Sequence, residues 1–296
     1  MTRSLSLIRK AVIPAAGWGT RFLPATKAQP KETLPLFDRP MIHYIVEEAV
    51  ASGIRQIIIV TALGKRAIED YFDRSYELEQ LLQAKGDKKR LAEVRRISQL
   101  ADIVYVRQRE QLGLGHAILM AKEIVGNEPF AVFLPDDIIE AKTPAIQQLL
   151  HVYERYQCSV LAVEQVADSE VSRYGIIEGR YKEERTFKVE RLVEKPKLQE
   201  APSNLAVIGR YILTPEVFCM LEKVQPGAIG EVQLTDGLDA LLRHQSIYAY
   251  EYEGVRHDGG TPLGLLRASV AVALSRPEVG GEFRQWLHGL LSGAPQ

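Results

Sequence analysis

Cysteine is scarce in this sequence, and long apolar runs are missing. The chain has two cysteines, Cys158 and Cys219, and neither belongs to a CxxC pair. This pattern indicates reduced structural residues in a reducing compartment rather than a disulfide framework. No apolar run approaches the roughly 18 residues that a membrane span needs. The first ten residues, MTRSLSLIRK, have no long apolar segment and no small-residue cleavage site, so we expect a cytoplasmic protein without a membrane partner.

The chain also lacks a strong net charge. Its formal charge is −1, which gives no global basic field for nucleic acid or an anionic membrane, and we expect neither as a partner. With 46% hydrophobic and 25% charged residues it resembles ordinary soluble globular proteins. The charge is uneven, however, because residues 1–40 hold seven Lys and Arg against two acidic residues. A local cationic excess beside a glycine-rich loop suits a polyphosphate ligand.

Strand and helix patterns alternate through the first half of the chain. Residues 41–52 place apolar side chains at helical spacing, and Gly53 is positioned to end that helix. Continuous apolar runs typical of strands buried on both faces occur at residues 11–14, 57–60, 103–106 and 130–134. Helical stretches separate these runs. The rhythm predicts an α/β fold with a mostly parallel central sheet and right-handed crossovers, flanked by helices.

The remaining segments predict additions to this core. Residues 76–100 are polar with spaced leucines and predict an inserted, largely exposed helical pair. After residue 158 the strand-like runs are mixed with polar residues, which favours antiparallel strands on the same sheet. Residues 262–296 predict a C-terminal helical tail. With 296 residues, no internal repeat and no low-complexity linker, the simplest division is a single domain over residues 1–296.

A glycine-rich loop at residues 15–21 follows the first predicted strand. Glycines let a backbone approach phosphates closely, and successive N–H groups can form an anion-binding nest. Arg21 offers a planar fork of donors, and Lys27 and Lys31 follow on a proline-punctuated loop. The alternatives are an ordinary turn that needs glycine only for its geometry, or a solvated basic loop.

Acidic residues end two other segments. Asp136 and Asp137 follow an apolar strand, where a carboxylate is well placed to hold Mg²⁺, although it can equally cap a helix. Asp258 stands beside two glycines. The pair Glu194 and Lys195 at a predicted strand end can be an exposed ion pair of little energetic value.

One long motif gives these features a common context. The run GWGTRFLPATKAQPKE at residues 17–32 resembles the G-x-G-T-R-x-(L)-P-x-T-K-x-x-P-K-E signature of sugar-nucleotide pyrophosphorylases, and the match continues in order over at least residues 10–286. The run QREQLGLGHA at residues 108–117 looks like the base-reading loop of the family's uridylyl-transferring group. The resemblance implies a Rossmann-like, glycosyltransferase-A-like nucleotidyltransferase fold.

The resemblance also implies an activity, which is transfer of a uridylyl group from UTP to glucose 1-phosphate, with Mg²⁺ as cofactor. It implies a homodimer or homotetramer. The residues that it assigns to the triphosphate and leaving pyrophosphate are Arg21 and Lys31, with Ala16, Gly17, Gly19 and Thr20 at the nucleotide. It assigns Gln108 and Gly113 to the base, Gly175, Glu194 and Glu231 to the sugar, Lys195 to the sugar phosphate, and Asp136 and Asp258 to the metal. Asp236 is expected to help shape the sugar pocket.

Two other functions stay open. A thymidylyltransferase acting on a sugar 1-phosphate would share nearly all these motifs. A non-catalytic regulatory paralogue would bind a sugar nucleotide without turnover, but such paralogues tend to lose the Thr-Arg pair or the metal aspartates that this chain keeps. Departures from the family pattern are Trp18 in the glycine loop and the segment at residues 259–262, which place local loop geometry and sugar selectivity in question.

Overall fold

The computed structural model describes residues 8–227 and 230–292. Its strands are β1 (Lys10–Pro14), β2 (Pro35–Leu36), β3 (Arg39–Pro40), β4 (Gln56–Thr61), β5 (Asp102–Arg107), β6 (Phe130–Phe133), β7 (Asp137–Glu140), β8 (Val160–Gln165), β9 (Gly175–Glu183), β10 (Thr186–Glu194), β11 (Leu205–Leu213), β12 (Tyr248–Glu251) and β13 (Val255–Asp258). Its helices are α1 (Met41–Ala51), α2 (Arg66–Phe72), α3 (Tyr76–Ala84), α4 (Lys88–Ile97), α5 (Leu114–Leu119), α6 (Lys122–Val125), α7 (Ala145–Tyr156), α8 (Glu216–Leu221), α9 (Leu234–Leu242), α10 (Pro262–Ser275) and α11 (Gly280–Leu291). Short 3₁₀ helices lie at Thr20–Phe22, Ala25–Lys27, Lys31–Thr33, Asp168–Arg173 and Leu198–Glu200.

A single large sheet organises the described part of the chain. Its nine strands follow the order β5-β4-β1-β6-β11-β8-β12-β10-β9. The pairs β5/β4, β4/β1, β1/β6 and β8/β12 are parallel, whereas β11 and β10 run antiparallel to their neighbours. Seven of the nine strands therefore point the same way, and the prediction of an α/β fold with a mixed, mostly parallel sheet is confirmed.

The central strands are buried on both faces because both faces carry apolar side chains. Along β4, Ile57 and Ile59 join the hydrophobic cluster on one face, whereas Ile58 and Val60 join the cluster on the other. Helix α1 covers the first face with Ile42, Ile45, Val46 and Ala49. The second face is covered mainly by α5, α8 and α9. Helix α1 ends at Ala51, and Gly53 adopts a positive φ of 87° just beyond it, as the sequence predicts.

Two helical additions flank this core. Helices α3 and α4 occupy residues 76–97 and pack on each other, and α10 and α11 follow β13. Helix α10 begins with Thr261 as its cap, whose side chain accepts a hydrogen bond from the Gly264 N–H, and with Pro262 in the first turn. Within the described ranges, none of the helices is long and apolar enough to span a bilayer.

One edge of the sheet gathers the connecting loops. Because β1, β5, β6 and β8 are parallel, the loops that follow them leave from the same edge. Strand β9 begins at this edge, since Ile176 of β9 and Glu164 of β8 both pair with Ala206 of β11. Strand β10 ends there, where Glu194 pairs with Gly175. This edge therefore brings the glycine loop, the 108–113 loop, the start of β9 and the end of β10 to one place.

Candidate active site

A cleft of about 1320 Å³ opens at this edge of the sheet. Fourteen of the fifteen residues that the sequence proposes for the site line it, which are Ala16, Gly17, Gly19, Thr20, Arg21, Lys31, Gln108, Gly113, Asp136, Gly175, Glu194, Lys195, Glu231 and Asp258. These residues come from loops spread over more than 240 positions of the chain. Asp236 lies outside this lining, on α9.

The glycine loop is shaped by a close backbone approach at Gly19. Gly19 has a φ of 66°, and a Cβ there would lie 3.2 Å from the Thr26 side chain and 3.3 Å from that of Lys31. The Thr26 hydroxyl donates to the Gly19 carbonyl at 2.8 Å and closes the loop. Trp18, the bulky departure from the family pattern, lines the cleft with 69% of its surface exposed.

Lys31 and Asp136 form an ion pair in the cleft. The Nζ of Lys31 lies 2.5 Å from Oδ2 of Asp136. Burial disfavours the charged form of both side chains, but the attraction between the two opposite charges offsets this penalty. The pKa of Lys31 is raised by the Asp136 and Glu32 carboxylates, and the pKa of Asp136 is held below its usual value by Lys31. Arg21 lies beside them and donates from Nη1 to the Gly260 carbonyl at 3.1 Å.

Asp136 and Asp258 converge on Gly260. A Cβ at Gly260 would lie 3.0 Å from Oδ2 of Asp136 and 3.0 Å from Oδ1 of Asp258, so only glycine leaves the space between the two carboxylates open. Among the described residues, no group of three or more His, Cys, Asp and Glu could hold a metal by itself. Two carboxylates with additional oxygens from a phosphate ligand are a donor set that suits Mg²⁺. The chemistry of this pair therefore fits the implied metal.

Asp137 has a different role from its neighbour. It begins strand β7 instead of capping a helix, so that alternative is wrong. Its carboxylate accepts hydrogen bonds from Arg256 at 2.8 Å and from the Gly209 N–H at 3.1 Å. Burial raises the pKa of Asp137, against the opposing charge of Arg256. Asp137 thus ties β7, β11 and β13 together at the wall of the cleft.

The expected sugar half of the cleft is built around Glu194. Oε2 of Glu194 accepts from the Thr235 hydroxyl at 2.7 Å, and Oε1 lies 3.2 Å from Nζ of Lys195. Lys195 has a φ of 42°, which non-glycine residues rarely adopt, and its N–H donates to the Tyr174 carbonyl at 3.0 Å. A Cβ at Gly175 would lie 3.4 Å from the Glu194 carboxylate, so the Gly175 backbone borders this group directly.

The expected base-reading loop holds Gln108 in a fixed place. Its Nε2 donates to the Gly113 carbonyl at 3.2 Å and lies 2.9 Å from Nδ1 of His116. Both amide hydrogens are therefore engaged within the protein, which leaves the amide oxygen for the base that the resemblance assigns to Gln108. Gly113 has a φ of 94°, and a Cβ there would lie 2.8 Å from the Val232 carbonyl.

Two arginines of the site were not predicted from the sequence. Arg173 donates to Oδ2 of Asp258 at 2.8 Å from an exposed 3₁₀ turn, and nothing in its local sequence signals this contact. Arg256 lies two residues before Asp258 on β13 and pairs with Asp137 and Glu164. Because alternate residues of a strand share a face, the spacing of Arg256 and Asp258 could have identified Arg256.

Comparison with known proteins places this cleft in context. The family model described as nucleotidyl transferase matches residues 10–274. A UTP–glucose-1-phosphate uridylyltransferase of Staphylococcus epidermidis is 53% identical over 283 residues, which cover 96% of this chain and 98% of that protein. A UTP-bound UGPase from Acinetobacter baumannii superposes with a TM-score of 0.89 at 42% identity, covering 96% of this chain and 99% of that one. A UDP-glucose pyrophosphorylase complexed with UDP-glucose gives a TM-score of 0.84 at 45% identity, covering 91% of this chain and 100% of that one.

Proposed function

The chain belongs to the nucleotidyl transferase family, and on that premise we propose that it transfers a uridylyl group from UTP to glucose 1-phosphate. The products are UDP-glucose and pyrophosphate, and the protein is an enzyme. The observation that carries this function is the 53% identity, over 96% of the chain, to a uridylyltransferase of that specificity. The related structures with UTP and with UDP-glucose agree with the same substrates.

The reaction needs no general base. A phosphomonoester has its second pKa at about 6, so the sugar 1-phosphate is already a dianion near neutral pH. The protein's contribution is to position this nucleophile against the α-phosphorus and to neutralise charge as pyrophosphate leaves. The reaction is a direct displacement. One phosphate oxygen of the sugar phosphate forms a new bond to the α-phosphorus, while the bond from the α-phosphorus to the oxygen that bridges it to the β-phosphate breaks and pyrophosphate leaves.

Three cations of the cleft divide this work in the proposal. Lys195 binds the phosphate of glucose 1-phosphate, supported by its exposed Nζ beside Glu194. Arg21 and Lys31 bind the triphosphate and stabilise the departing pyrophosphate, and both stand at the glycine loop. The backbone of residues 16–20 lies against the nucleotide, while Glu194, Gly175 and Glu231 contact the sugar.

The charge balance of the cleft supports Mg²⁺ as cofactor. Its lining holds six Lys and Arg and eight Asp and Glu, which leaves it net acidic. An acidic cleft repels a triphosphate unless a further cation is present. Asp136 and Asp258 would hold the ion, and Mg²⁺ bound there would neutralise the reacting phosphates. Lys31 and Arg173, which now contact these carboxylates, would then be free to bind phosphate oxygens.

Pyrophosphate release tests the function. The purified protein is mixed with Mg²⁺ and glucose 1-phosphate, and UTP, dTTP, CTP, ATP and GTP are compared, with reactions lacking the sugar phosphate as the control. We expect pyrophosphate release to be faster with UTP than with the other four nucleotides. Release led by dTTP would keep the mechanism but make the protein a thymidylyltransferase. Binding of UDP-glucose without any release would make it the regulatory paralogue.

We also propose that the protein is cytoplasmic and assembles as a homodimer or homotetramer. The C-terminal helices support assembly, because Leu266 of α10 and Trp286 and Leu290 of α11 are exposed apolar side chains outside the cleft. The molar mass in solution, measured by light scattering after size-exclusion chromatography, tests this. A particle of the 33.2 kDa of one chain at micromolar concentration would contradict it.

A further inference from the structure

We propose that His116 is a specificity-determining residue that fixes the orientation of the Gln108 amide, so that only the amide oxygen is offered to the base. This inference rests on the proposed use of a pyrimidine nucleotide in the cleft. Gln108 is 3% exposed and lines the cleft, whereas His116 stands behind it in the first turn of α5.

The hydrogen bonds determine the amide orientation without ambiguity. Nε2 of Gln108 lies 3.2 Å from the Gly113 carbonyl, and a carbonyl oxygen can only accept. The nitrogen end of the amide must therefore face Gly113. The same Nε2 lies 2.9 Å from Nδ1 of His116, so its second hydrogen points there. Nδ1 must then be the acceptor, and the proton of the neutral imidazole is on Nε2.

The surroundings favour this state of the histidine. Burial lowers the pKa of His116, which keeps the ring neutral and Nδ1 able to accept. Gln108 itself is held by its N–H, which donates to the Thr61 carbonyl at 2.8 Å. A flipped amide would place its oxygen against the Gly113 carbonyl and the lone pair of Nδ1, and two hydrogen bonds would be lost together.

The groups that remain free match a keto pyrimidine. Oε1 of Gln108 has no partner among the described residues, and neither has the N–H of Gly113. An acceptor beside a donor is complementary to the N3–H and an adjacent carbonyl of uracil or thymine. Cytosine presents an acceptor at N3 and an amino group beside it, so both contacts would be mismatched. The fixed Gln108 amide therefore selects against cytosine and does not discriminate between uracil and thymine.

Two substitutions of His116 test whether it fixes the Gln108 amide. His116→Leu removes the group that accepts a hydrogen bond from Gln108. In His116→Asn, the asparagine Oδ1 can take the position of Nδ1 and accept that bond. We expect the ratio of kcat/KM for UTP over CTP to fall at least ~10-fold in His116→Leu and to change less than ~3-fold in His116→Asn, since a lost buried hydrogen bond has effects of this order. An unchanged ratio in His116→Leu, or equal losses in both variants, would overturn the proposal.

The histidine tautomer gives a readout that needs no turnover. The ¹⁵N shifts of the imidazole, assigned by comparison with His116→Asn, should show a protonated Nε2 and an unprotonated Nδ1. A protonated Nδ1 in the folded protein would overturn the proposal. If no nucleotide is turned over, the proposed reaction fails, but the tautomer and the ratio of UTP to CTP dissociation constants still decide the role of His116.

Discussion

Opposite charges hold one another in the cleft. Each carboxylate expected to bind the metal already contacts a cation, Lys31 at Asp136 and Arg173 at Asp258. Lys195 lies beside Glu194 in the same way. Ligand binding exchanges these internal pairs for contacts with phosphates. Removing one charged side chain therefore has an effect whose direction depends on what its partner does in the reaction.

Arg21 and Lys195 should give distinct kinetic defects. In Lys195→Ala we expect the KM for glucose 1-phosphate to rise about 10- to 100-fold, because a charge-assisted hydrogen bond to the acceptor is lost. In Arg21→Ala we expect kcat to fall by a similar factor, because the guanidinium acts mainly on the leaving pyrophosphate. Steady-state kinetics with each substrate varied in turn measure both constants.

Lys197→Ala is the matched control for Lys195, since Lys197 is an exposed lysine two residues away that does not line the cleft. It should keep both constants near those of the unaltered enzyme. Equal and small effects of the Arg21 and Lys195 substitutions on all constants would contradict the division of roles.

Arg173 should weaken metal binding by occupying Asp258. In Arg173→Gln we expect Mn²⁺, used as a paramagnetic substitute for Mg²⁺, to bind about 3- to 10-fold more tightly in the absence of nucleotide, because no guanidinium competes for the carboxylate. Electron paramagnetic resonance titration measures free Mn²⁺ directly. Arg180→Gln, which alters an exposed arginine paired with Glu190 outside the cleft, is the control. Weaker Mn²⁺ binding in Arg173→Gln would show that Arg173 supports the site instead.

The turn that begins α5 needs glycine at position 113, both for stability and for positioning Gln108. Gly113 has a positive φ, and a Cβ added there would lie 2.8 Å from the Val232 carbonyl oxygen. In Gly113→Ala we expect the free energy of unfolding to fall by about 2 kcal/mol or more, from backbone strain plus the clash. The KM for UTP should also rise, because the same turn positions Gln108. Urea unfolding and steady-state kinetics measure the two effects.

Gly126→Ala separates strain from clash. Gly126 has a φ of 68°, but a Cβ there would meet nothing within 4 Å. Its substitution should cost only about 1 kcal/mol of unfolding free energy and leave the KM for UTP unchanged. If both alanine variants behaved alike, the close approach to Val232 would have no consequence for the loop.

Elements whose contacts are local could be predicted well from the sequence. The apolar spacing along α1 and the β-branched run of β4 each determine one element, and the structure has both. All the residues proposed for the cleft except Asp236 line it, because the family motif identifies loops that the parallel strands then bring to one edge. Local pattern and long-range geometry agree at these places.

The small sheet formed by β7 and β13 was not predicted. Its strands are four residues each and lie more than 110 positions apart, and β13 consists largely of polar residues. No local period signals such a pairing. Yet this sheet places Asp258 opposite Asp137, one residue from Asp136, and it carries Arg256. The metal pair could be proposed from a motif, whereas the arginines around it required the structure.

Across the protein as a whole, the α1 region joins parts that are distant in sequence. The Glu47 carboxylate of α1 accepts a hydrogen bond from Nη1 of Arg39 at 3.1 Å. It accepts another from Nη1 of Arg96, on α4, at 3.0 Å. His43, on the same helix, lies 3.0 Å from Glu47. Arg276, which follows α10, donates to the Tyr44 hydroxyl at 3.1 Å. One helix thus holds both the α3–α4 pair and the C-terminal helices against the sheet.

The pH dependence of stability should reflect Glu47. Burial disfavours its charge, but His43, Arg96 and Arg39 outweigh this and lower the pKa of Glu47 from 4.5 to about 2. As the pH falls through this interval, the unfolded chain binds the proton first, so the stability contributed above pH 4.5 is lost towards pH 2. In Glu47→Gln we expect a lower free energy of unfolding at neutral pH and a shallower decline of that free energy between pH 4.5 and about 2, measured by urea unfolding.

Glu154→Gln is the control, because Glu154 is an exposed glutamate without an ion pair among the described side chains. It should keep the original slope of unfolding free energy against pH. An unchanged slope in Glu47→Gln would place the acid sensitivity elsewhere.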